Sequence, residues 1–156
     1  MPAREILHEL LVNVSPEQLY QAVTGPAQIA HWWTTGARGE STLGKQLEFW
    51  FGDYCASIAE ITALEPGKLV RWHVTGGKAK DWIETDLEFR IFVEDGRTML
   101  HFRHSNWRED ARQFAHCSFG WAIFLLSLKE FAETGKGRPY PYDMPVNMWK
   151  PPATAA

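Results

Sequence analysis

Two histidines and a run of carboxylates are the residues whose chemistry could serve metal binding or proton transfer. His101 and His104 are three positions apart on a predicted strand, so their side chains leave opposite faces of the sheet and cannot meet at one ion. We therefore predict no metal site and no cofactor. Glu84, Asp86 and Glu88 occupy the polar side of an alternating strand, which indicates solvated side chains rather than a general acid and base.

Histidines on apolar strand faces leave an enzymatic alternative open. His8 and His104 each share a predicted strand face with apolar residues, so each could present an imidazole to the interior. An imidazole bonded to a backbone carbonyl is the more common arrangement at such positions. Cys117 and Ser118 are neighbours on a predicted helix, but the sequence places no base beside either of them. We assign no catalytic residue and keep a cyclase or hydrolase using His8, His104 or an internal Glu as an alternative.

The composition is that of a globular protein rich in aromatic residues. The 156 residues carry 16 Lys plus Arg against 19 Asp plus Glu, a net charge of −3. This balance, with no basic cluster, argues against a nucleic-acid partner and against anionic membranes. The longest apolar run, residues 121–126, is far too short for membrane insertion, and with no signal peptide we expect a cytoplasmic protein with Cys55 and Cys117 reduced. The 8 Trp, 9 Phe and 4 Tyr indicate a large aromatic lining.

The N-terminal part predicts one strand followed by two short helices. Residues 6–14 alternate between apolar and polar side chains, as a half-buried strand does. Ser15, Pro16 and Gln18 then form the signature of a helix start, with a capping box between Ser15 and Gln18. A second short helix is expected over residues 26–33.

An antiparallel meander, part of a sheet of about six or seven strands, is expected over residues 36–106, because turn residues separate short strand-like runs there. Residues 82–93 alternate most cleanly and predict a strand with one apolar and one solvated face. Glu60 and Arg71 lie on neighbouring strands of this meander, where they could form a surface ion pair.

Residues 107–134 predict a long amphipathic helix, because their apolar residues recur every three or four positions. Asn106 and Glu109 could form its capping box, and Gly135 its C-terminal stop. The apolar stripe of this helix and the apolar face of the sheet must both be buried, so we expect the helix to pack on the sheet. This predicts an α+β domain over residues 6–137.

Several short segments carry a more specific signal. They are Val14-Ser15-Pro16-Glu17, Thr24-Gly25-Pro26, His31-Trp32-Trp33, Glu60 to Pro66 with Leu69 to Trp72, Thr98 to His104 with Trp107, and Phe119-Gly120-Trp121 through to Gly135. In this order they are similar to the Aha-type family, homologues of the activator of heat-shock-protein ATPase. The order of elements resembles the helix-grip fold of the START-like (SRPBCC) superfamily, in which a curved sheet wraps a long helix.

The resemblance implies an apolar cavity between the helix and the sheet. Relatives across the superfamily bind lipids, hormones or aromatic polyketides, and a few act as cyclases or hydrolases. In the chaperone activators the domain forms the second half of a longer chain, whereas here it fills nearly the whole sequence. The residues expected to line the cavity are Trp33, Phe49, Phe89, Phe102, His104, Phe114, Ser118, Trp121 and Leu125.

Three functions follow, in order of preference. The first is binding of a small apolar or aromatic ligand in this cavity, and the second is a protein-interaction module that regulates a chaperone ATPase. The third is the enzyme described above. Residues 138–156 form a Pro-rich arm with large apolar side chains that should lie on its own domain or on a partner subunit, so a homodimer is also open.

Overall fold

A seven-stranded antiparallel sheet is the frame of the protein, in a computed structural model that describes residues 4–144. The strand order across the sheet is β1-β7-β6-β5-β4-β3-β2. Strands β2 to β7 therefore form a continuous meander, and β1 is added at its edge beside β7. The strands are β1 (Arg4–Leu11), β2 (Gly36–Gly39), β3 (Gln46–Phe51), β4 (Tyr54–Glu65), β5 (Leu69–Gly76), β6 (Asp86–Glu94) and β7 (Arg97–Trp107).

The helices described within residues 4–144 cover one face of this sheet. They are α1 (Pro16–Thr24), α2 (Pro26–Ile29), a 3₁₀ turn (Lys80–Trp82) and α3 (Phe114–Thr134). Contacts join α1 to β5, β6 and α3, and α3 to β1. The predicted helix-grip α+β architecture is therefore confirmed. None of the helices in the described part is long and apolar enough to cross a membrane.

The local signals that mark two helix ends are confirmed. Ser15 Oγ accepts from Gln18 N at 3.2 Å, and Gln18 Oε1 accepts from Ser15 N at 3.1 Å, which completes the capping box of α1. Gly135 follows α3 with a left-handed φ of 86°, and its N–H donates to Phe131 O at 2.7 Å. Only glycine adopts that conformation without strain, which is why the helix ends there.

The predicted start of α3 is wrong. The helix begins at Phe114 rather than near residue 107, and no capping box forms between Asn106 and Glu109. Asn106 belongs to β7 with a left-handed φ of 65°, and its side-chain amide donates to the Asp86 carboxylate. Trp107 is completely buried at the end of the same strand. Burial of that indole favours an extended segment over the helix that periodicity predicts.

Two other elements are shorter in the structure than the sequence predicts. The second helix ends at Ile29, so Trp33 lies in the turns that follow it. The strand predicted over residues 82–93 begins only at Asp86, because the preceding residues form the 3₁₀ turn. Glu84 has a left-handed φ of 73° between these two elements, which interrupts the alternation.

The ion pair predicted between Glu60 and Arg71 is also wrong. Shifts in the register of β4 and β5 set Glu60 opposite His73, and Arg71 donates to Glu88 at 3.1 Å. Glu88, expected to be solvated, is only 8% exposed and also accepts from Arg90. Burial alone raises the pKa of Glu88, but the hydrogen bonds from Arg71 and Arg90 outweigh it and lower the pKa.

The first residues of the Pro-rich arm pack against their own domain. Tyr140 N donates to Trp33 O at 2.8 Å, and Arg138 N donates to Ser127 Oγ on α3 at 2.7 Å. This part of the arm therefore lies on the same chain. Residues 145–156 are outside the described part.

The capping box predicts a measurable loss of stability. Replacement of Ser15→Ala removes the acceptor for Gln18 N and should lower the free energy of unfolding by about 0.5–2 kcal/mol in urea denaturation. Ser41→Ala, in an exposed loop, is the control and should change it by less than about 0.5 kcal/mol. Equal effects from both substitutions would contradict the role assigned to the cap.

Candidate functional site

Aromatic rings occupy the space between α3 and the sheet. Measured between ring centroids, Trp121 of α3 lies 4.8 Å from Trp33 and 4.5 Å from Phe102 on β7. Trp33 lies 4.3 Å from Phe49 on β3, and Phe102 lies 5.1 Å from Phe89 on β6. These five residues, each at most 2% exposed, are called the aromatic cluster below. A helix, a turn and three strands therefore meet in one set of rings.

Little empty space is left beside the aromatic cluster. One cavity of about 10 Å³ adjoins it, lined by Trp33, Trp82, Cys117, Gly120, Trp121 and Phe124. A cavity of this size holds one water molecule at most, whereas pockets for small molecules start at about 300 Å³. A ligand of several rings would therefore have to displace side chains in order to enter.

The residues predicted to line a cavity divide into two groups. The aromatic cluster contains five of them, and His104 and Leu125 are buried in the same core. Phe114 and Ser118 lie toward the N-terminal end of α3, where the Phe114 ring packs at the edge of the core, 5.6 Å from Trp107 between centroids. Phe114 is half-buried beneath the Arg4 guanidinium, 4.3 Å from its ring centre, and Ser118 is half-buried as well.

His104 forms a chain of hydrogen bonds behind Trp121. The Trp121 indole Nε1 donates to His104 Nδ1 at 3.1 Å. Because an indole N–H can only donate, Nδ1 must be the acceptor, and the proton of the neutral ring belongs on Nε2. Nε2 then donates to Thr85 Oγ1 at 2.9 Å, and the Thr85 hydroxyl donates to the backbone oxygen of Trp82. This chain of hydrogen bonds links α3 and β7 to the 3₁₀ turn.

Burial keeps the His104 ring neutral. The residue is 0% exposed, and desolvation lowers the pKa of its imidazole well below the ordinary value of 6.5. Both ring nitrogens already have protein partners, so neither is available to a substrate. We therefore assign His104 to holding the indole of Trp121 in place.

The other two candidates for chemistry, His8 and Cys117, each make a hydrogen bond within the domain. His8 Nε2 hydrogen bonds to Ser118 O at 3.1 Å, a side-chain to backbone contact that joins β1 to α3. Burial raises the pKa of the Cys117 thiol to about 12, so it remains protonated and is a poor nucleophile. Across residues 4–144, no group of three or more His, Cys, Asp or Glu side chains is placed to hold a metal ion.

A second histidine lies between carboxylates on the outer face of the sheet. His73 Nδ1 is 2.8 Å from Asp86 Oδ1, and Nε2 is 3.4 Å from Glu84 Oε2. The hydrogen bond to Asp86 is the largest of the effects that raise the pKa of His73. This ion pair therefore stabilises the fold below pH 6.5, and its contribution is lost as the pH rises through the raised pKa.

Sequence reasoning missed three residues of the interior, namely Trp72, Trp82 and Thr85. Trp72 lies 5.2 Å from Phe49, and its alternation with Val70 on β5 is the signal that could have revealed it. Trp82 and Thr85 lie in and after the 3₁₀ turn, where side chains follow no regular period. No pattern in the sequence marks them.

The side of α3 that faces away from the sheet is also apolar. Phe119 is 57% exposed and Leu126 is 63% exposed, with Ala122 and Ile123 half-buried between them. We call these four residues the outer α3 stripe. A groove of about 520 Å³ continues from it and reaches Met144. Within residues 4–144 the two end side chains of this stripe remain mostly in solvent, although an apolar stripe of a helix is normally buried.

These elements define a helix-grip α+β domain, in which an antiparallel sheet packs on one long helix and two short helices follow the first strand. The chain belongs to the family described as Activator of Hsp90 ATPase homolog 1-like protein, which it matches over residues 13–133. Among curated proteins, none matches this chain.

Solved structures agree with this assignment. One, described as the solution structure of the Aha1 dimer from Colwellia psychrerythraea, is 36% identical with a TM-score of 0.77 over 86% of this chain and 99% of that one. The protein SSP2350 from Staphylococcus saprophyticus is 20% identical with a TM-score of 0.70, over 87% of this chain and 97% of its own. CalU16 from Micromonospora echinospora is 21% identical with a TM-score of 0.69, over 83% and 74%. The latter two show the fold alone.

The buried neutral His104 predicts a loss of stability in acid. Below pH 6.5 the imidazole of His104 binds a proton in the unfolded chain but not in the folded protein, because its pKa is lower in the folded state. The free energy of unfolding that is present above pH 6.5 therefore falls as the pH is lowered. The contribution of this group to the slope is at most about 1.4 kcal/mol per pH unit. Urea denaturation between pH 8 and about pH 5 should show a smaller slope for His104→Gln than for the wild type.

His101→Gln makes the same replacement on the other face of the same strand, where the side chain is partly exposed, and is the control for the substitution itself. A wild-type slope in His104→Gln would show that the buried imidazole does not titrate as described.

Proposed function

We propose that this protein is a protein-interaction domain that works through its outer surface. The observation that carries the proposal is the contrast between the two sides of α3. The inner side meets the aromatic cluster, with a cavity of only about 10 Å³, whereas the outer side leaves Phe119 and Leu126 in solvent. Contiguous exposed apolar side chains are typical of surfaces that bind another macromolecule.

Two partners are included in the proposal. The first is a chaperone ATPase of the Hsp90 type, and the family to which the chain belongs supports it. The second is another copy of the same chain. The dimer described for the relative from Colwellia psychrerythraea supports this second partner, since that relative is 36% identical over nearly its whole length.

The chaperone partner is tested by titrating the full-length protein into a purified Hsp90-type chaperone. We expect a saturable rise in the rate of ATP hydrolysis and a matching binding isotherm by calorimetry. The same titration with an unrelated globular protein, and a reaction stopped by an inhibitor of the chaperone, are the controls. Absence of both binding and stimulation at high micromolar concentration would eliminate this partner while leaving self-association untouched.

Binding of a small apolar or aromatic ligand is the second candidate function. The residual cavity favours it, because its walls include the indoles of Trp33, Trp82 and Trp121, which suit an aromatic guest. The space is too small for such a guest in the packed state. Binding would therefore require one of these indoles to move aside, together with the loss of its ring contacts.

The response of the wild type to an aromatic probe distinguishes a filled core from a closed receptor, and a variant with an enlarged cavity is the positive control. Trp121→Ala should destabilise the fold by roughly 3–5 kcal/mol and create space for a small aromatic probe such as indole, detected by ¹H–¹⁵N NMR shifts. Trp50→Ala removes the same ring from a half-buried outer position and should create no site. Saturable shifts at Trp33 and Trp121 in the wild type would favour the ligand-binding candidate, and their absence would favour the filled core.

A further inference from the structure

Phe119 and Leu126 are the two large apolar side chains of α3 that are more than half exposed. They are seven residues apart, so they lie on one side of the helix and are separated by about 10.5 Å along its axis. The half-buried Ala122 and Ile123 fill the interval. The stripe therefore has a bulky side chain at each end and a small one near its centre.

We propose that the outer α3 stripe is the surface through which two copies of this chain pair, with their α3 helices antiparallel. The two-fold axis passes between Ala122 and Ile123. This inference rests on the self-association proposed above and adds the surface and the register.

The spacing of the stripe suits a symmetric pair. A two-fold interface uses the same patch on both subunits, so the patch must be complementary to itself. With the axis between Ala122 and Ile123, Phe119 stands as far before the axis as Leu126 stands after it. Each Phe119 therefore meets the partner's Leu126, and the contact occurs twice. The small side chain of Ala122 allows the helix axes to approach to about 8–10 Å.

The charges near the ends of α3 favour the antiparallel direction. In the same register the exposed Arg112, in the turn before the helix, comes toward the end of the partner helix that carries Glu133. Glu133 Oε2 accepts from Lys129 Nζ and from Asn13 N of its own chain, each at 2.7 Å, so the carboxylate is held in a fixed position. A parallel pair would instead bring each Arg112 beside its own copy, which is unfavourable.

The size of the surface predicts a weak dimer. A helix of 21 residues is about 31 Å long, and one of its faces is smaller than the roughly 800 Å² per partner of a stable interface. The groove that runs from Leu126 to Met144 adds area on each side of the axis. We therefore expect dimerisation in the micromolar range, visible as a concentration-dependent mass.

The experiment measures the mass of the full-length chain by sedimentation velocity across the micromolar range. The wild type should pass from monomer to dimer. Phe119→Glu and Leu126→Glu should each raise the dissociation constant by roughly 30-fold, because each replaces a buried apolar contact by a charge at both of its symmetric occurrences. Val93→Glu is the matched control, since Val93 is 59% exposed on β6, and it should leave the dissociation constant unchanged. Circular dichroism confirms that each variant is folded.

The register is tested by disulfide trapping. Chains carrying Phe119→Cys, mixed with chains carrying Leu126→Cys, should form a mixed disulfide on mild oxidation in greater yield than either variant alone. The two native cysteines are both buried and do not compete. Preferential trapping within a single variant would contradict the antiparallel register.

The outcomes separate this inference from the proposed function. If the dimer of the wild type persists in both Glu variants, the outer α3 stripe is not the dimer surface, although the protein does self-associate. A wild type that remains monomeric at every concentration would overturn both self-association and the surface, without bearing on the chaperone partner. A dimer that appears only after deletion of residues 145–156 would overturn the inference, because the stripe would then be covered by its own chain.

Discussion

The contact on which the rest of the structure depends is the packing of the Trp121 indole against the concave face of the sheet. The ring packs at a tilt against Trp33 and Phe102, and its N–H donates to His104. Because this arrangement excludes water, the buried imidazole of His104 needs a protein partner for each nitrogen and remains neutral. Thr85 completes that requirement by accepting from the imidazole and donating to a backbone carbonyl. One aromatic side chain thus sets the position of α3, the protonation of a buried base and the size of the interior.

Filling the interior changes what this fold can do. A curved sheet around a helix can enclose a cavity, but here bulky rings from both sides occupy that volume, and the cavity beside Trp121 measures only about 10 Å³. The fold alone therefore does not determine whether a protein binds a ligand inside or works through its surface. The side chains that line the interior determine it. The same helix is apolar on its outer side, and packing inside the domain cannot account for Phe119 and Leu126. This contrast is what supports the proposal that the domain presents α3 to other proteins.

The sequence predicts those features that depend on neighbouring residues. The capping box at Ser15 and the stop at Gly135 are local, and both form as expected. The late start of α3 and the pairing of Arg71 with Glu88 could not be predicted, because they depend on a buried Trp107 and on shifts in strand register. For the interior, periodicity assigns the apolar residues to the correct face. It does not reveal whether their combined volume fills the curvature of the sheet, since that comparison needs the backbone in three dimensions.

The most direct test of the filled interior is the rate of hydrogen exchange at the Trp121 indole N–H, followed by NMR in D₂O. If the aromatic cluster is a packed core, this proton exchanges only when the whole domain unfolds. Its protection then gives a free energy equal to that from denaturant unfolding. If the interior opens to admit guests while the sheet stays folded, the same proton exchanges through that opening. A protection free energy several kcal/mol below the global value would therefore contradict the account.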